Sequence, residues 1–263
     1  MVCLKSMKTV SLVLTTYNNK ENLERTLASI EKQDYPAIEL AIKDGGSTDG
    51  TLDVIKNYEM TSKNKVKWST GKDKGIYDAM NQGYQMTRGD IVVFFNDLFQ
   101  DSSVVSKMIH VMETHPDCVG AYGDLVYVED GKVVRYWKMG AQRSLYSGWM
   151  PGHPTLFLKR EVYEKYGLYN PDYRIAADYE FMIRFLKDNR NRLAYLPETI
   201  IQMYYGGTST SGIGSYLQSL KEVHRALGDN GVKGAVVIDV LRTFKVILQF
   251  FAKNNCNYKR VGL

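Results

Sequence analysis

Oxygen-bearing side chains are crowded just after an apolar run in the first half of the chain. The run is Ile91 to Phe95, and Asn96, Asp97 and Asp101 follow it. Carboxylate and amide oxygens are the hard ligands that Mg²⁺ or Mn²⁺ prefers, and such an ion could hold the phosphates of a nucleotide. A structural role is equally open from these residues alone, because Asn and Asp also cap helices and a helix is predicted to begin near Ser102.

A second candidate is the glycine turn Asp44-Gly-Gly-Ser-Thr-Asp49. Its two glycines allow the backbone to turn tightly and to approach a ligand closely. Asp44 is predicted to end a strand, where it can accept hydrogen bonds from a base or a ribose. Ser47 and Asp49 suit the capping of the following helix equally well. The turn is neither a dinucleotide signature nor a Gly-Lys-Ser/Thr phosphate loop, which argues against a nucleotidyltransferase.

Both candidate sites, the group at 96–101 and the glycine turn at 44–49, follow predicted strands. Alternating strands and helices are predicted to position them. Apolar, β-branched runs predict strands at 10–16, 38–43, 66–69 and 91–95. Apolar residues at helical spacing predict helices between them, at 21–33, 51–58 and 76–86. Such βαβ units predict an α/β fold with a mostly parallel central sheet flanked by helices, in which ligands bind at the carboxyl ends of the strands.

The pattern becomes more irregular after residue 101. The expected elements there are a helix at 103–114, a hairpin at 120–137, a strand at 156–158, and helices at 160–166 and 177–188. No internal repeat or low-complexity linker separates the two parts. We therefore expect one domain over 1–233, with a nucleotide-binding half at 8–101, a second half at 102–205, and a tail at 234–263.

The tail contains a strongly amphipathic helix, predicted at 236–253. One face carries the polar residues Asp239, Arg242, Lys245, Gln249 and Lys253. The other face carries Val237, Ile238, Leu241, Phe244, Leu248 and Phe251. Two interpretations stay open: a helix packed on the domain, or a helix lying in the plane of a membrane surface with its basic residues assisting.

The charge and the cysteine content of the chain indicate which binding partners and which cellular compartment are expected. Thirty-four basic and 29 acidic residues give a net charge of +5, and no basic run indicates a nucleic-acid partner. Cys3, Cys118 and Cys256 are odd in number and lack metal-binding spacing, so free thiols in a reducing compartment are expected. No secretory signal or membrane-spanning apolar run is recognised, which predicts a cytoplasmic location.

Four segments, in order, resemble the motifs of family 2 glycosyltransferases. They are Ser11-Leu-Val-Leu-Thr-Thr-Tyr-Asn18, Ile42-Lys-Asp-Gly-Gly-Ser-Thr-Asp-Gly-Thr51, Asp73-Lys-Gly-Ile-Tyr-Asp-Ala-Met-Asn-Gln-Gly83 and Gly89-Asp-Ile-Val-Val-Phe-Phe-Asn96. The resemblance covers about residues 8 to 205 and implies the GT-A fold, a Rossmann-like fold of nucleotide-diphospho-sugar transferases. Segments 150–155 and 176–184 are similar to those of bacterial enzymes that build exopolysaccharide or lipopolysaccharide, of the colanic-acid type.

The resemblance implies roles for the matching residues. Asp178 matches the expected catalytic base, which deprotonates the acceptor hydroxyl during an inverting transfer. Asp97 would hold Mn²⁺ or Mg²⁺, which stabilises the leaving nucleoside diphosphate. Asp44 would bind uracil or an equivalent base. The expected donor-binding set is Thr15, Tyr17, Asp44, Gly45, Asp73, Lys74 and Asn96.

The metal-binding turn departs from the family pattern. The family reads Asn-Ala/Ser-Asp-Asp-x-Phe/Tyr-x-Asp where this chain reads Asn96-Asp-Leu-Phe-Gln-Asp101, so the turn is shorter and only Asp97 remains of the acidic pair. His153 and His224 are further candidates, as auxiliary ligands or acceptor contacts.

Two functions follow from this resemblance and from its departure. One is an inverting glycosyltransferase that takes a sugar from a UDP-sugar to a glycan or lipid-linked acceptor, at the inner face of the cell membrane, in surface polysaccharide synthesis. The other is a catalytically weak sugar-nucleotide-binding or scaffold protein with a degenerate metal site.

Overall fold

The computed structural model describes residues 7–188, 190–204 and 213–251, and its first half is a run of parallel strands joined by helices. The strands are β1 (Val10–Thr16), β2 (Ile38–Asp44), β3 (Lys65–Thr70) and β4 (Ile91–Phe94). The connecting helices are α1 (Lys20–Glu31), α2 (Thr51–Thr61) and α3 (Ile76–Gln85). Strands β1, β2 and β4 are buried on both faces, which explains why apolar residues predominate in them and why β4 is apolar throughout.

The second half adds shorter and mixed strands to the same sheet. These are β5 (Leu98–Phe99), β6 (Cys118–Glu129), β7 (Lys132–Trp137), β8 (Phe157–Lys159) and β9 (Arg192–Tyr204). The helices are α4 (Val104–Thr114), α5 (Arg160–Tyr166), α6 (Ala177–Leu186), α7 (Ile213–Asp229) and α8 (Ala235–Phe251). Two 3₁₀ turns lie at Leu145–Ser147 and His153–Thr155.

The strands form one sheet in the order β3-β2-β1-β4-β8-β6-β9-β5, with β7 paired to β6. Pairing is parallel from β3 through β4, and the antiparallel pair of β4 and β8 joins the two halves. Strands β6 and β9 are parallel, whereas β8 and β7 run antiparallel to β6. The α/β class predicted from the sequence is confirmed, and the carboxyl ends of β1, β2 and β4 lie at one edge.

The sequence analysis does not predict β9 or the short β5. Strand β9 carries exposed Pro197 and Glu198 in its middle, and its register with β6 shifts near Gly123 and Asp124. Neither clean alternation nor an apolar run results, so the usual strand signals are absent. Strand β5 begins directly after Asp97 and pairs with β9, and this early strand accounts for the short turn after β4.

Helix α8 packs on the domain, which is one of the two interpretations that the sequence left open, and it does so mainly through its polar face. The buried side chain of Ile238 is an exception, but Val240, Phe244 and Ile247 are 63%, 58% and 49% exposed. Arg242 and Lys245, which would assist membrane binding in the second interpretation, are partly buried and line a cavity. Lys253 lies outside the described residues. Within the described residues, no helix is both long and apolar enough to cross a bilayer.

Candidate active site

Asn96 ties together the strand ends at which the candidate residues meet. Its side-chain oxygen accepts a hydrogen bond from the Thr15 amide at 2.9 Å, and its side-chain nitrogen donates to the Thr15 hydroxyl oxygen at 2.9 Å. The chain folds this way because β1 and β4 are adjacent and parallel, so residues that follow both strands lie side by side. Asn96 therefore fixes the end of β1 against the end of β4 and also lines the cavity described below.

Asp44 is enclosed by its own loop. Its carboxylate accepts hydrogen bonds from the Ser47 hydroxyl and Thr70 hydroxyl, both at 2.5 Å, and from the amides of Gly46 and Ser47. Burial alone would raise the pKa of Asp44, but these hydrogen bonds hold it below the usual value. The side chain is 0% exposed, so a direct contact with a base, which stays a prediction, would require this loop to release it.

The exposed surface in front of this loop is formed by Tyr17, Gly45 and Asp73. Tyr17 is 64% exposed. A side chain at position 45 would meet the Asp73 carboxylate at 3.1 Å and the Tyr17 ring at 3.2 Å, so glycine keeps the gap between them open. Buried Lys43 lies 3.8 Å from the Asp73 carboxylate and donates to the carbonyl oxygens of Asp44 and Gly71. The lysine thereby joins the end of β2 to the loop after β3.

Lys74 and Asp101 make contacts of their own outside this group. Lys74 is exposed, and its amide donates to the Asp78 carboxylate at 2.9 Å. Asp101 accepts from the amide and the hydroxyl of Ser103, both at 2.8 Å, and pairs with Lys107. Asn96 and Asp97 therefore do not cap α4, whose N-cap is Ser103, and Asp101 instead holds Ser103 in the turn before the helix.

A cavity of about 1120 Å³ opens beside the strand ends and contains both Asp97 and Asp178. Asp97 is partly buried, and no described residue donates a hydrogen bond to its carboxylate. Because burial disfavours the charged form and nothing compensates for it, the pKa of Asp97 is raised to about 7. A carboxylate in this state has coordination capacity left for a ligand.

The fit of a divalent cation at Asp97 follows from the same observation. No group of three or more His, Cys, Asp or Glu side chains suited to a metal occurs among the residues that the structure describes. Mg²⁺, however, is commonly held by one or two carboxylates together with substrate phosphates and water. The residues present fit an ion that arrives with a diphosphate and do not fit an ion held by protein ligands alone.

Asp178 lies in the first turn of α6 and reaches the cavity from the second half. The Tyr77 hydroxyl is 2.9 Å from the Asp178 carboxylate and 2.6 Å from the carbonyl oxygen of Ile175, so its single proton is shared between them. Burial and the nearby charge of Asp178 raise the pKa of Tyr77 well above its usual value, and it stays a neutral donor. Tyr77 therefore orients a carboxylate that still faces the cavity.

His153 also lies in the cavity wall, whereas His224 does not. The His153 ring nitrogen Nε2 is 2.6 Å from the Tyr169 hydroxyl, and the ring stacks on Phe94. Burial lowers the pKa of His153, although the charge of Asp178 partly opposes this. His224 is 2.6 Å from Asp239 and joins α7 to α8, so the structure gives it a packing role, and a role as a ligand or acceptor contact stays a prediction.

Comparisons with known proteins show the family and the fold. The family model described as Glycosyl transferase family 2 matches residues 11–187. A PGL/p-HBAD biosynthesis glycosyltransferase of Mycobacterium tuberculosis is 27% identical over 209 residues, covering 76% of this chain and 79% of that protein.

Two solved structures share the fold at 16% identity. One is the mannosyltransferase PcManGT from Pyrobaculum calidifontis in complex with GDP-Man and Mn²⁺, with a TM-score of 0.66, covering 95% of this chain and 77% of that one. The other is S. aureus TarS 1-349 in complex with UDP, with a TM-score of 0.64, covering 93% of this chain and 72% of that one. The chain thus has the GT-A fold.

Proposed function

This chain belongs to glycosyl transferase family 2, and from that premise we propose that it moves a sugar from a UDP-sugar to an acceptor hydroxyl with inversion. One observation carries the proposal. Asp178 and Asp97 line the same cavity, and the first is oriented by Tyr77 while the second accepts no hydrogen bond from a described residue. The two carboxylates suit different tasks, proton transfer and the binding of a charged leaving group.

Asp178 is the proposed base. During transfer it would take the proton of the acceptor hydroxyl as that oxygen attacks the anomeric carbon and the bond to the nucleoside diphosphate breaks. The Tyr77 hydroxyl would hold the carboxylate in one orientation through the step. His153, fixed against Tyr169 and kept neutral by burial, is suited to a hydrogen bond with a sugar hydroxyl.

The donor is proposed to lie across the strand ends. Tyr17 offers an exposed ring for stacking on a base, and Asp73 offers a carboxylate beside the gap that Gly45 leaves open. Thr15 and Asp44 support this surface from behind, whereas Lys74 is free to approach the donor from solvent. The UDP-bound and GDP-mannose-bound structures of similar fold support a nucleotide sugar as the donor class.

Asp97 is the residue proposed to hold Mn²⁺ or Mg²⁺ together with the donor phosphates. When bound, the ion would supply positive charge against the leaving diphosphate. A second candidate function, a weak sugar-nucleotide-binding or scaffold protein, is favoured by one fact: among the described residues that line the cavity, Asp97 is the single carboxylate left for a metal once Asp178 serves as the base.

A lipid-linked acceptor at a membrane surface is the proposed setting, within the synthesis of a bacterial surface polysaccharide and at the cytoplasmic face. Its support is the outward face of α8, which carries seven of the fourteen large apolar side chains that are exposed among the described residues. They are Val236, Val237, Val240, Leu241, Phe244, Ile247 and Leu248. A continuous apolar face beside the cavity wall suits insertion into the bilayer interface.

Vesicle flotation tests the membrane contact. Wild-type protein is expected to float with phosphatidylcholine–phosphatidylglycerol vesicles, and a Val240→Ser/Phe244→Ser variant is expected to stay mostly at the bottom. Met60→Ser is the matched control, because Met60 is 78% exposed on α2 and lies outside this face. Equal flotation of both variants, or none by the wild type, would contradict the contact.

The transfer itself is tested by a panel of nucleotide sugars, with and without Mn²⁺. Release of UDP from one UDP-sugar, stimulated by Mn²⁺ and by an added acceptor, is the expected result. Binding of a nucleotide sugar with no turnover under any of these conditions would favour the binding-protein alternative.

A further inference from the structure

Positive charge is concentrated on the part of the cavity wall that is formed by the second half of the chain. Among the described residues that line the cavity, six are Lys or Arg, and only Asp97 and Asp178 are acidic. The basic residues are Arg135, Lys138, Arg143, Arg174, Arg242 and Lys245. A cleft with this excess of one sign attracts ligands of the opposite sign.

Helix α8 supplies two of these charges, and its position is fixed by close contacts. Lys245 donates a hydrogen bond to the carbonyl oxygen of Ser147 at 2.8 Å, and the Arg242 guanidinium lies over the Tyr179 ring at 5.2 Å. At Gly148, whose φ is +68°, an added Cβ would lie 2.8 Å from the amide nitrogen of Arg242. The backbone of α8 and the backbone at Gly148 are therefore in close contact. This contact holds the basic face of α8 against the cavity, near Tyr179, which follows Asp178.

These charges are not neutralised by the protein. In the part of the chain that the structure describes, Arg143, Arg174, Arg242 and Lys245 form no ion pair. Burial and the nearby charge of Arg143 lower the pKa of Lys245. Cations brought together without an acid disfavour one another, and a bound anion would relieve that repulsion.

The donor alone does not account for this cluster. Thr15, Tyr17, Asp44 and Asp73, which form or support the nucleotide surface, are not among the residues that line the cavity. Asp97 follows β4 at the strand ends, whereas Arg143 belongs to the loop after β7 and Arg242 belongs to α8. The cluster therefore lies on elements of the second half, where Asp178 is also found.

We propose that Arg143, Arg242 and Lys245 form a binding site for the phosphate or diphosphate group of a lipid-linked acceptor. The inference rests on the proposed function and specifies its acceptor. The same helix would present its apolar face to the bilayer and its basic face to the phosphate that joins lipid to sugar. Arginine suits this task, because its guanidinium can donate two parallel hydrogen bonds to phosphate oxygens.

Calorimetry on the full chain saturated with UDP and Mg²⁺ tests the site, because the donor position is then filled. Farnesyl diphosphate is the probe, and farnesol is the same chain without phosphate. Wild-type protein is expected to bind the diphosphate at least about tenfold more tightly than farnesol, since hydrogen bonds between charged groups are the strong ones. Arg143→Gln and Arg242→Gln are each expected to reduce that affinity about tenfold.

Two control variants and a measurement of folding complete the experiment. Arg242→Lys keeps the charge and is expected to retain most of the binding, while Lys56→Gln, on the exposed surface of α2, is expected to change nothing. Thermal unfolding of each variant shows that it is folded. Equal binding of diphosphate and farnesol overturns the inference, as does a loss of UDP affinity in the arginine variants, which would assign the cluster to the donor. Failure of the wild type to bind UDP would instead contradict the proposed function.

Discussion

Two carboxylates follow neighbouring parts of the same parallel sheet and are in opposite electrostatic states. Asp44, at the end of β2, is fully buried, accepts three hydrogen bonds from its own loop and one from Thr70 at the end of β3, and has a pKa below its usual value. Asp97, after β4, accepts none from the described residues, and burial raises its pKa to about 7. The nucleotide loops are therefore complete without a ligand, whereas the cavity keeps carboxylate capacity for one.

Substitution of Asp44 and substitution of Asp97 should differ most in their effect on the free energy of unfolding. Asp44→Ala should lower the free energy of unfolding by about 3 kcal/mol, because it removes hydrogen bonds to a charged group and leaves the buried hydroxyl of Ser47 without its acceptor. Asp97→Ala is the matched comparison and should raise the free energy of unfolding at pH 7, because it removes a carboxylate whose charged form burial disfavours. Urea unfolding at pH 7 measures both, and equal losses would remove the distinction.

The second difference is in pH dependence. Because the folded pKa of Asp97 is raised to about 7, the folded chain holds a proton there that the unfolded chain has released above about pH 4. The contribution of Asp97 to the free energy of unfolding is therefore greatest below about pH 4 and is lost as the pH rises through about 7.

The affinity for Mn²⁺ should also depend on the proton that Asp97 holds. Mn²⁺ must displace it, so the affinity of the UDP complex for Mn²⁺ should rise about tenfold per pH unit up to 7 and then level off. Calorimetry at pH 5, 6, 7 and 8 measures this dependence. Asp97→Asn supplies the background titration of the nucleotide, and an identical pH profile in the two proteins would show that Asp97 holds no metal.

A smaller effect is expected from the residue that orients the base. Tyr77→Phe should lower kcat about five- to tenfold, corresponding to about 1 kcal/mol, because one hydrogen bond to the Asp178 carboxylate is lost. The affinity for UDP should stay unchanged. Tyr84→Phe, in the same helix, is the control. A change in UDP affinity without a change in kcat would show that Tyr77 serves the donor side.

The nucleotide half could be read from the sequence because each feature there is local. Strands buried on both faces leave apolar runs, and the residues after them, such as Asp44 and Asn96, meet at one edge by the rules of parallel sheets. The pairing of Tyr77 with Asp178 spans 101 residues and leaves no local signal. Helix α7 did leave one, since Val223 and Leu227 recur at helical spacing and are buried.

The orientation of α8 shows a different limit. Periodicity separates an apolar face from a polar one, but it does not say which of them meets the protein. The packing is decided by partners far away in the chain, including Ser147 and Tyr179, and by the backbone approach at Gly148. The basic cluster in the cavity was therefore invisible until the helix was seen in place.

The measurement that tests the central claim most directly is transfer by Asp178→Asn, compared with its donor affinity. The amide is nearly isosteric with the carboxylate but cannot take the acceptor proton, so the transfer rate should fall by about 10²–10⁴-fold while UDP affinity stays the same. Asp172→Asn, at an exposed position on the preceding loop, is the matched control and should transfer at the wild-type rate. Wild-type turnover by Asp178→Asn would contradict the assignment of the base and, with it, the proposal that sugar transfer takes place in this cavity.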